Sequence, residues 1–349
     1  MKKTVVAIIC GGRSSEHEIS CLSAGGVLAG LDLGKFEAIL IGITKAGHWV
    51  QLPSGYPLSI INGVLPTVIE SLTPIVADVH GFSVDGKPLN IDVIFPTLHG
   101  PYGEDGTIQG FFETAGISYV GSGVMASAAA MDKSFSKMIF AASGMNVASG
   151  VVVSRTDWKS KCADIAYPVF VKPARGGSSR GTNKVKSSTD LEVALKDAFT
   201  FDRKVMVEEA IVGREIECAV LEKDGQVMAS VVGEIVIDSK YEFYDFEAKY
   251  LDDATTVNVP ADIPASASEE IRAKAVQAFK SLGCSGLARV DFFYTEMKEI
   301  VINEINTMPG FTGTSMYPKL MAASGVDYSS LITALVDTGL TRSNGVLGN

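Results

Sequence analysis

Residues 287–306 run Leu-Ala-Arg-Val-Asp-Phe-Phe-Tyr, a charged turn, then Ile-Val-Ile-Asn-Glu-Ile-Asn. Side chains two apart on a strand share a face, so Arg289 joins Asp291 on one strand and Glu304 joins Asn306 on the next. A hairpin closing near Met297 and Lys298 lets these four meet on a face whose other members are apolar. Oxygen ligands that leave room for waters and phosphate oxygens suit Mg²⁺, and an arginine beside them can neutralise a developing anion. A solvated edge with cross-strand ion pairs is the competing reading of this stretch alone.

Residues 172–181, Lys-Pro-Ala-Arg-Gly-Gly-Ser-Ser-Arg-Gly, follow an apolar strand and offer glycine N–H groups that can approach phosphate closely. The string is not a Walker A loop, which needs Gly-Lys-Ser/Thr after four spacers. A Gly-Ser loop alone is more often a surface turn. Lys172 at the strand end and Lys133 in the preceding helix add the cations that favour phosphate. Residues 208–215, Glu-Glu-Ala-Ile-Val-Gly-Arg-Glu, lie between two apolar strands. They form either a solvated turn or the edge of a nucleotide cleft. In the second case Glu208 accepts from an adenine amino group, the next backbone groups read the ring, and Glu215 holds ribose hydroxyls. Glu16 and His99 sit in loops that follow apolar strands, where α/β sheets place ligands. Together they can offer an anionic pocket to an ammonium, although a lone histidine is more often structural and Glu16 can simply complement a helix dipole.

The elements that must position these groups are legible from hydrophobic spacing. An apolar run at 4–10 ends in Gly11-Gly12, and 19–31 has helical spacing, which predicts strand, glycine turn, helix. Strands at 37–43 and 91–97 complete a parallel α/β beginning. Residues 124–143, rich in Ala, Met and Lys, predict one helix stopped by Gly144. Short strands follow at 150–153, 169–172, 204–208 and 216–221, close enough in sequence for antiparallel sheet, and helices return at 267–282 and 328–340.

The chain has 349 residues, more than one core usually serves, so two or three lobes with a cleft are expected. Its net charge of −10 makes nucleic acid and anionic membrane poor partners. The start is too short in its apolar part for a signal peptide, and no run can span a bilayer, so the chain reads as cytoplasmic. Five scattered cysteines without a CxxC pair fit neither a disulfide framework nor a zinc site.

The order Gly-Gly-x-Ser-x-Glu, His-Gly-x-x-Gly-Glu-Asp-Gly, Met-Asp-Lys, Lys-Pro, Gly-Ser-Ser, Tyr-Asp-Phe-Glu-Ala-Lys-Tyr, Arg-x-Asp and Asn-Glu-Ile-Asn-Thr-x-Pro-Gly resembles the D-alanine-D-alanine ligases over nearly the whole chain. The resemblance implies a three-lobed ATP-grasp fold: an N-terminal α/β lobe at 1–121, then α+β lobes at 122–208 and 209–349 that clasp ATP. It implies a ligase that joins two D-alanines through an acyl phosphate for peptidoglycan synthesis, with ATP and two Mg²⁺ ions (Mn²⁺ as a substitute) and a homodimeric state. Lys133, Lys172, Gly177, Ser178 and Lys249 would serve the phosphates, and Glu208, Glu209, Ala210, Ile211 and Glu215 the nucleoside. Asp291, Glu304 and Asn306 would hold the metal. Glu16, linked through Ser178 and Tyr250, would bind the first ammonium, with His99 lining that pocket. Arg289 and the Gly310 N–H would form an oxyanion hole, and Ser315 would bind the second carboxylate. The segment 240–253 is the candidate lid.

Ala174, Phe246 and the pair Pro101-Tyr102 depart from common residues of that family without removing a residue of the mechanism. Rival readings are a D-alanyl-D-serine or D-alanyl-D-lactate ligase of the same fold, or a catalytically silent nucleotide-binding protein. Tyr250 argues against the lactate enzyme.

Overall fold

The computed structural model describes residues 2–237 and 255–342. β1 (Thr4–Gly11) is an almost wholly buried run of Val, Ile and Ala inside a five-stranded sheet. It pairs in parallel with β2 (Phe36–Ile43) on one side and β8 (Val93–Pro96) on the other. A parallel pair needs a crossover, which α1 (His17–Gly30) supplies. The short β3 (Trp49–Gln51) and β4 (Thr73–Pro74) extend this sheet, and β5 (Val76–Asp78), β6 (Gly81–Val84) and β7 (Lys87–Pro88) make a small antiparallel sheet before α2 (Thr107–Thr114). The turn after β1 requires glycine: Gly11 has φ +88°, and a Cβ there would lie 2.3 Å from the Ile43 carbonyl oxygen. That turn and the loop after β8 emerge at the same end of the sheet, where the Ser14 hydroxyl donates to the His99 carbonyl at 2.7 Å.

The single helix expected over 124–143 is two helices, α3 (Val124–Met131) and α4 (Lys133–Ala142). Asp132 breaks it. Its backbone is extended and its carboxylate accepts from the N–H groups of Ser134 and Phe135, the preferred use of Asp as an N-cap. Lys133 therefore begins a helix, and its N–H donates to the Ala174 carbonyl at 2.9 Å, which ties it to the glycine loop. Gly144 ends α4 at φ +80° as expected.

After β9 (Asn146–Val147) come β10 (Gly150–Val153), the one-turn α5 (Trp158–Lys161), β11 (Val169–Pro173), β12 (Asn183–Val185), α6 (Ser188–Phe201) and β13 (Val205–Glu209). The strands form an antiparallel sheet in the order β10-β13-β11-β12. α6, absent from the sequence reading, buries Leu191, Ala194, Leu195, Ala198 and Phe199 with this sheet's core. Each large apolar side chain so buried contributes about 1.5–3 kcal/mol.

The third sheet is longer. β14 (Gly213–Lys223), β15 (Gln226–Ile237), β16 (Thr255–Asn258), β17 (Leu287–Thr295) and β18 (Ile300–Asn306) order as β16-β15-β14-β17-β18-β9, with α7 (Ala265–Ser281) packed on one face. β17 shows why: Val290, Phe292 and Tyr294 are buried with Ile271, Ala275 and Phe279 of α7, while Arg289 and Asp291 alternate to the other face. That face looks across a cleft at the four-stranded sheet. α8 (Met316–Ala323) and α9 (Tyr328–Thr341) close the chain against the first lobe, sharing a core in which Val6, Ile8 and Cys21 lie with Tyr317, Leu331 and Leu335. An α/β lobe built on parallel strands beside two largely antiparallel sheets that face each other is the ATP-grasp arrangement expected. Among the described residues, no helix is long and apolar enough to cross a membrane, and all five cysteines are free.

Candidate active site

The hairpin of β17 and β18 forms and pairs the four residues that the sequence put on shared strand faces. Asp291 lies opposite Glu304 and Arg289 opposite Asn306, with a bulge after Asp291 that leaves Asn303 as the extra residue. Arg289 grips Asp291 with two hydrogen bonds, Nε to Oδ1 and Nη2 to Oδ2, both 2.8 Å. Burial disfavours its charge, but Asp291 and Glu217 hold the guanidinium well above its ordinary range. Glu304 meets the Lys133 ammonium at 2.9 Å, and Lys133 also donates to the Gly176 carbonyl at 2.8 Å. Burial alone would lower this lysine, yet Glu304 raises it, so it stays charged. The Asn306 amide oxygen accepts from the Met308 N–H at 3.0 Å.

Across the cleft, Glu208 is buried between two lysines: Lys137 donates to it at 2.5 Å, and Lys172 forms the second ion pair. Burial would raise this carboxyl, but Lys172 and Lys137 keep it below the ordinary glutamate range. Lys137 carries the cost, pushed down to about 8 by burial and by the charge of Lys172. Lys172 further reaches the Asn303 amide oxygen at 3.4 Å. Glu208, Glu209, Ile211 and Glu215 line this end of the cleft together with Lys133, Lys172 and Ser178. The Glu209 side chain accepts from the Ser149 N–H at 2.8 Å, and the Ala210 N–H is taken by the Pro168 carbonyl.

The other end opens toward the first lobe as a cleft of about 1190 Å³. The Ser178 hydroxyl donates to Glu16 at 2.5 Å, which bridges the glycine loop to the first lobe as expected. The loop comes so near that a Cβ on Gly177 would lie 2.7 Å from the Glu16 carboxylate. Ser178 itself has φ +52°, a strained conformation for a residue with a side chain. His99 uses both ring nitrogens: the Ser23 hydroxyl meets Nε2 at 2.8 Å, and Nδ1–H donates to the Met308 carbonyl at 3.0 Å. Burial lowers its pKa, so it is a neutral tie between loops that also lines the pocket. Ser315 caps the loop before α8, its Oγ accepting from the Thr312 N–H at 3.0 Å, and a Cβ on Gly310 would lie 2.8 Å from that Oγ.

The structure thus brings together Glu16, His99, Lys133, Lys172, Gly177, Ser178, Glu208, Arg289, Asp291, Glu304, Asn306, Gly310 and Ser315 around connected space. Lys249 and Tyr250 lie outside the described residues. A family model described as the D-ala D-ala ligase N-terminus matches residues 5–122, and one described as the D-ala D-ala ligase C-terminus matches residues 139–337. The chain belongs to the D-alanine-D-alanine ligase family. It is 50% identical to the D-alanine-D-alanine ligase of Mycobacterium leprae, with 98% of this chain and 95% of that protein covered. Among solved structures, the VanG D-Ala:D-Ser ligase of Enterococcus faecalis superposes with a TM-score of 0.85 at 37% identity, covering 97% of this chain and all of that one (100%). The D-alanine-D-alanine ligase of Coxiella burnetii does so with a TM-score of 0.84 at 34% identity, covering 97% of this chain and 94% of that one. Membership of this family makes the protein an ATP-dependent ligase with a general requirement for magnesium.

Three polar residues in or beneath this ligase-family cleft were missed in the sequence. Lys137 stands one helical turn after Lys133, a spacing that puts both on one face. Glu217 stands two after Glu215 on β14, again on one face. Glu104 belongs to the loop that supplied His99; its carboxylate accepts from the Gly100 N–H at 2.6 Å, and burial together with the charge of Glu16 pushes it up to about 8.

Proposed function

We infer that this protein joins two D-alanines into D-alanyl-D-alanine for peptidoglycan precursor synthesis, through an acyl phosphate made with ATP. The observation that carries this reading is the Glu16–Ser178 bridge, which puts an anionic handle for an ammonium directly against the loop suited to phosphate. The first D-alanine would place its ammonium on Glu16 and its carboxylate toward Arg289. Its carboxylate is a poor acylating agent until phosphorylated, and Lys133, Lys172 and the backbone of Gly177 and Ser178 would hold the phosphates, with Lys249 at the transferred group.

Asp291, Glu304 and Asn306 fit Mg²⁺. They offer two carboxylates and an amide oxygen from facing strand positions, and Mg²⁺ prefers few protein oxygens completed by phosphate and water. Among the described residues no larger His, Cys, Asp and Glu cage exists. We place two ions there, with Mn²⁺ as a substitute; when bound they spread the charge of the phosphoryl group. The second D-alanine would rest its carboxylate on Ser315 and attack as the free amine. Arg289 and the Gly310 N–H would then meet the oxyanion, each such donor contributing of order 10² to 10³ in rate. Glu208, Glu209, Ala210, Ile211 and Glu215 would hold the nucleoside, and Tyr250 would complete the network of Glu16 and Ser178. Acyl phosphates hydrolyse readily, so the segment 240–253 is proposed as the lid that excludes water.

We further propose lobes at 1–121, 122–208 and 209–349, a cytoplasmic homodimer, and no nucleic-acid or membrane partner. The assay is phosphate release from ATP with D-alanine, D-serine and D-lactate as alternative second substrates. Release dependent on D-alanine alone supports the reading. A preference for D-serine would move the chain toward the activity in the VanG structure's name, and a preference for D-lactate would overturn the argument from Tyr250.

A further inference from the structure

Three carboxylates occupy one row across neighbouring strands: Glu217 on β14 lies opposite Asp291 on β17, which lies opposite Glu304 on β18. Two of them share one guanidinium. Arg289 Nε is 2.8 Å from Asp291 Oδ1 and 3.0 Å from Glu217 Oε2, while Nη2 is 2.8 Å from Asp291 Oδ2. Glu217 is 6% exposed, and Ala219, directly opposite Arg289 on the same strand, offers no polar group. Both oxygens of Asp291 are therefore occupied by the arginine, although Asp291 is proposed to turn to a metal ion and Arg289 to an oxyanion. A buried guanidinium does not give up its carboxylate unless another takes its place.

We propose that Glu217 is that replacement, a positioning residue that holds Arg289 through Nε when Asp291 turns away. It keeps the two Nη groups directed into the cleft, where Glu217 and Arg289 both form part of the wall. Glu217 touches neither metal nor substrate in this role. It acts by removing the competition between Arg289 and the metal for Asp291. The inference rests on the metal assignment made above.

The test follows the Mg²⁺-dependent rise in melting temperature of the full chain at a fixed, saturating concentration of ADP, a readout independent of turnover. E217Q keeps the size and a neutral acceptor but loses the charge. The Mg²⁺ midpoint of E217Q is expected to rise about five- to tenfold, because Asp291 is then the one carboxylate, among the described residues, in ion-pair contact with the arginine. In an R289M background nothing competes for Asp291, so adding E217Q is expected to move the midpoint less than about twofold. Equal shifts in both backgrounds would mean Glu217 acts on the metal itself and would overturn the proposal, as would no shift from E217Q alone. If E217Q does not fold, E217D replaces it, with the same cycle and a smaller shift. A parent protein without any Mg²⁺-dependent rise would instead overturn the metal reading and this inference with it.

Discussion

At the nucleotide end of the cleft the carboxylates meet cations: Glu208 stands between Lys137 and Lys172, Glu304 against Lys133, and Asp291 against Arg289. At the first-lobe end Glu16 and Glu104 are held by neutral donors, the Ser178 hydroxyl and the Gly100 N–H, and among the described residues neither has an ion pair. The difference matches what each end must receive. Lysines parked on carboxylates can be handed to phosphates, leaving the carboxylates for an adenine amine or a metal ion. Glu16, parked on a neutral donor, keeps a negative potential for an incoming ammonium, and Glu104 can add to it by giving up its proton. Charge is balanced in advance where the ligand is an anion, and left unbalanced where it is a cation.

The comparison breaks most visibly at Glu304. Glu304→Gln removes a metal-facing charge and leaves the buried Lys133 without its carboxylate, so turnover is expected to fall by about 10³-fold or more at saturating Mg²⁺, with the fold retained by circular dichroism. Near-normal turnover would remove Glu304 from the phosphate chemistry. At the other end, Glu16→Gln is expected to raise the KM for the first D-alanine roughly 10- to 150-fold, the value of a charged hydrogen bond of about 1.5–3 kcal/mol, while the KM for ATP stays within about twofold. An equal rise in both would mean that Glu16 only holds the glycine loop.

Lys137→Met sharpens the same contrast with a smaller effect. Without Lys137, Glu208 has Lys172 alone and draws it from the phosphates, so the KM for ATP should rise about tenfold with little change in kcat. Lys137 titrates at about 8, so the parent's KM should climb toward that of the variant as pH passes from 7 to 9. Parallel pH profiles would show that Lys137 only packs beneath the site.

Much of this site was legible because strand geometry is strict. Period-two spacing placed Arg289 with Asp291 and Glu304 with Asn306, and the turn at Lys298, with φ +65°, set the register that joins them. The partner of Glu217 was illegible for the converse reason: Arg289 lies 72 residues away on a neighbouring strand of the sheet, and local spacing does not say which strands pair. The helix over 124–143 was misread as continuous because its composition is uniformly helical, while the break rests on one side chain, Asp132, whose preference for capping competes with its tolerance of helix interiors. α6 could have been found from Leu191, Leu195 and Ala198, whose three- and four-residue spacing marks a buried stripe. What spacing could not supply was the balance of charge, because that depends on which side chains from different lobes come within hydrogen-bonding distance.

Glu104 offers the finest test of the unbalanced end. Burial, then the negative charge of Glu16, raises its carboxyl from the ordinary 4.5 to about 8 in the folded protein. A carboxyl raised on folding binds its proton more tightly when folded, so its contribution to stability is full below about pH 4.5 and is lost as pH rises toward 8. Glu104→Gln mimics the protonated form at every pH. Its melting temperature should equal the parent's near pH 5 and exceed it by a margin, of order 2 °C, that grows up to about pH 8 and is constant above it. The ammonium of D-alanine should reverse this preference, since a cation beside Glu16 and Glu104 favours the ionised acid. Binding of D-alanine at pH 7 should then release protons, seen as a dependence of the calorimetric heat on the ionisation enthalpy of the buffer, and Glu104→Gln should abolish the release. A constant difference in melting temperature across pH, with no buffer-dependent heat, would mean that Glu104 is ionised throughout and that the first-lobe end carries two permanent negative charges.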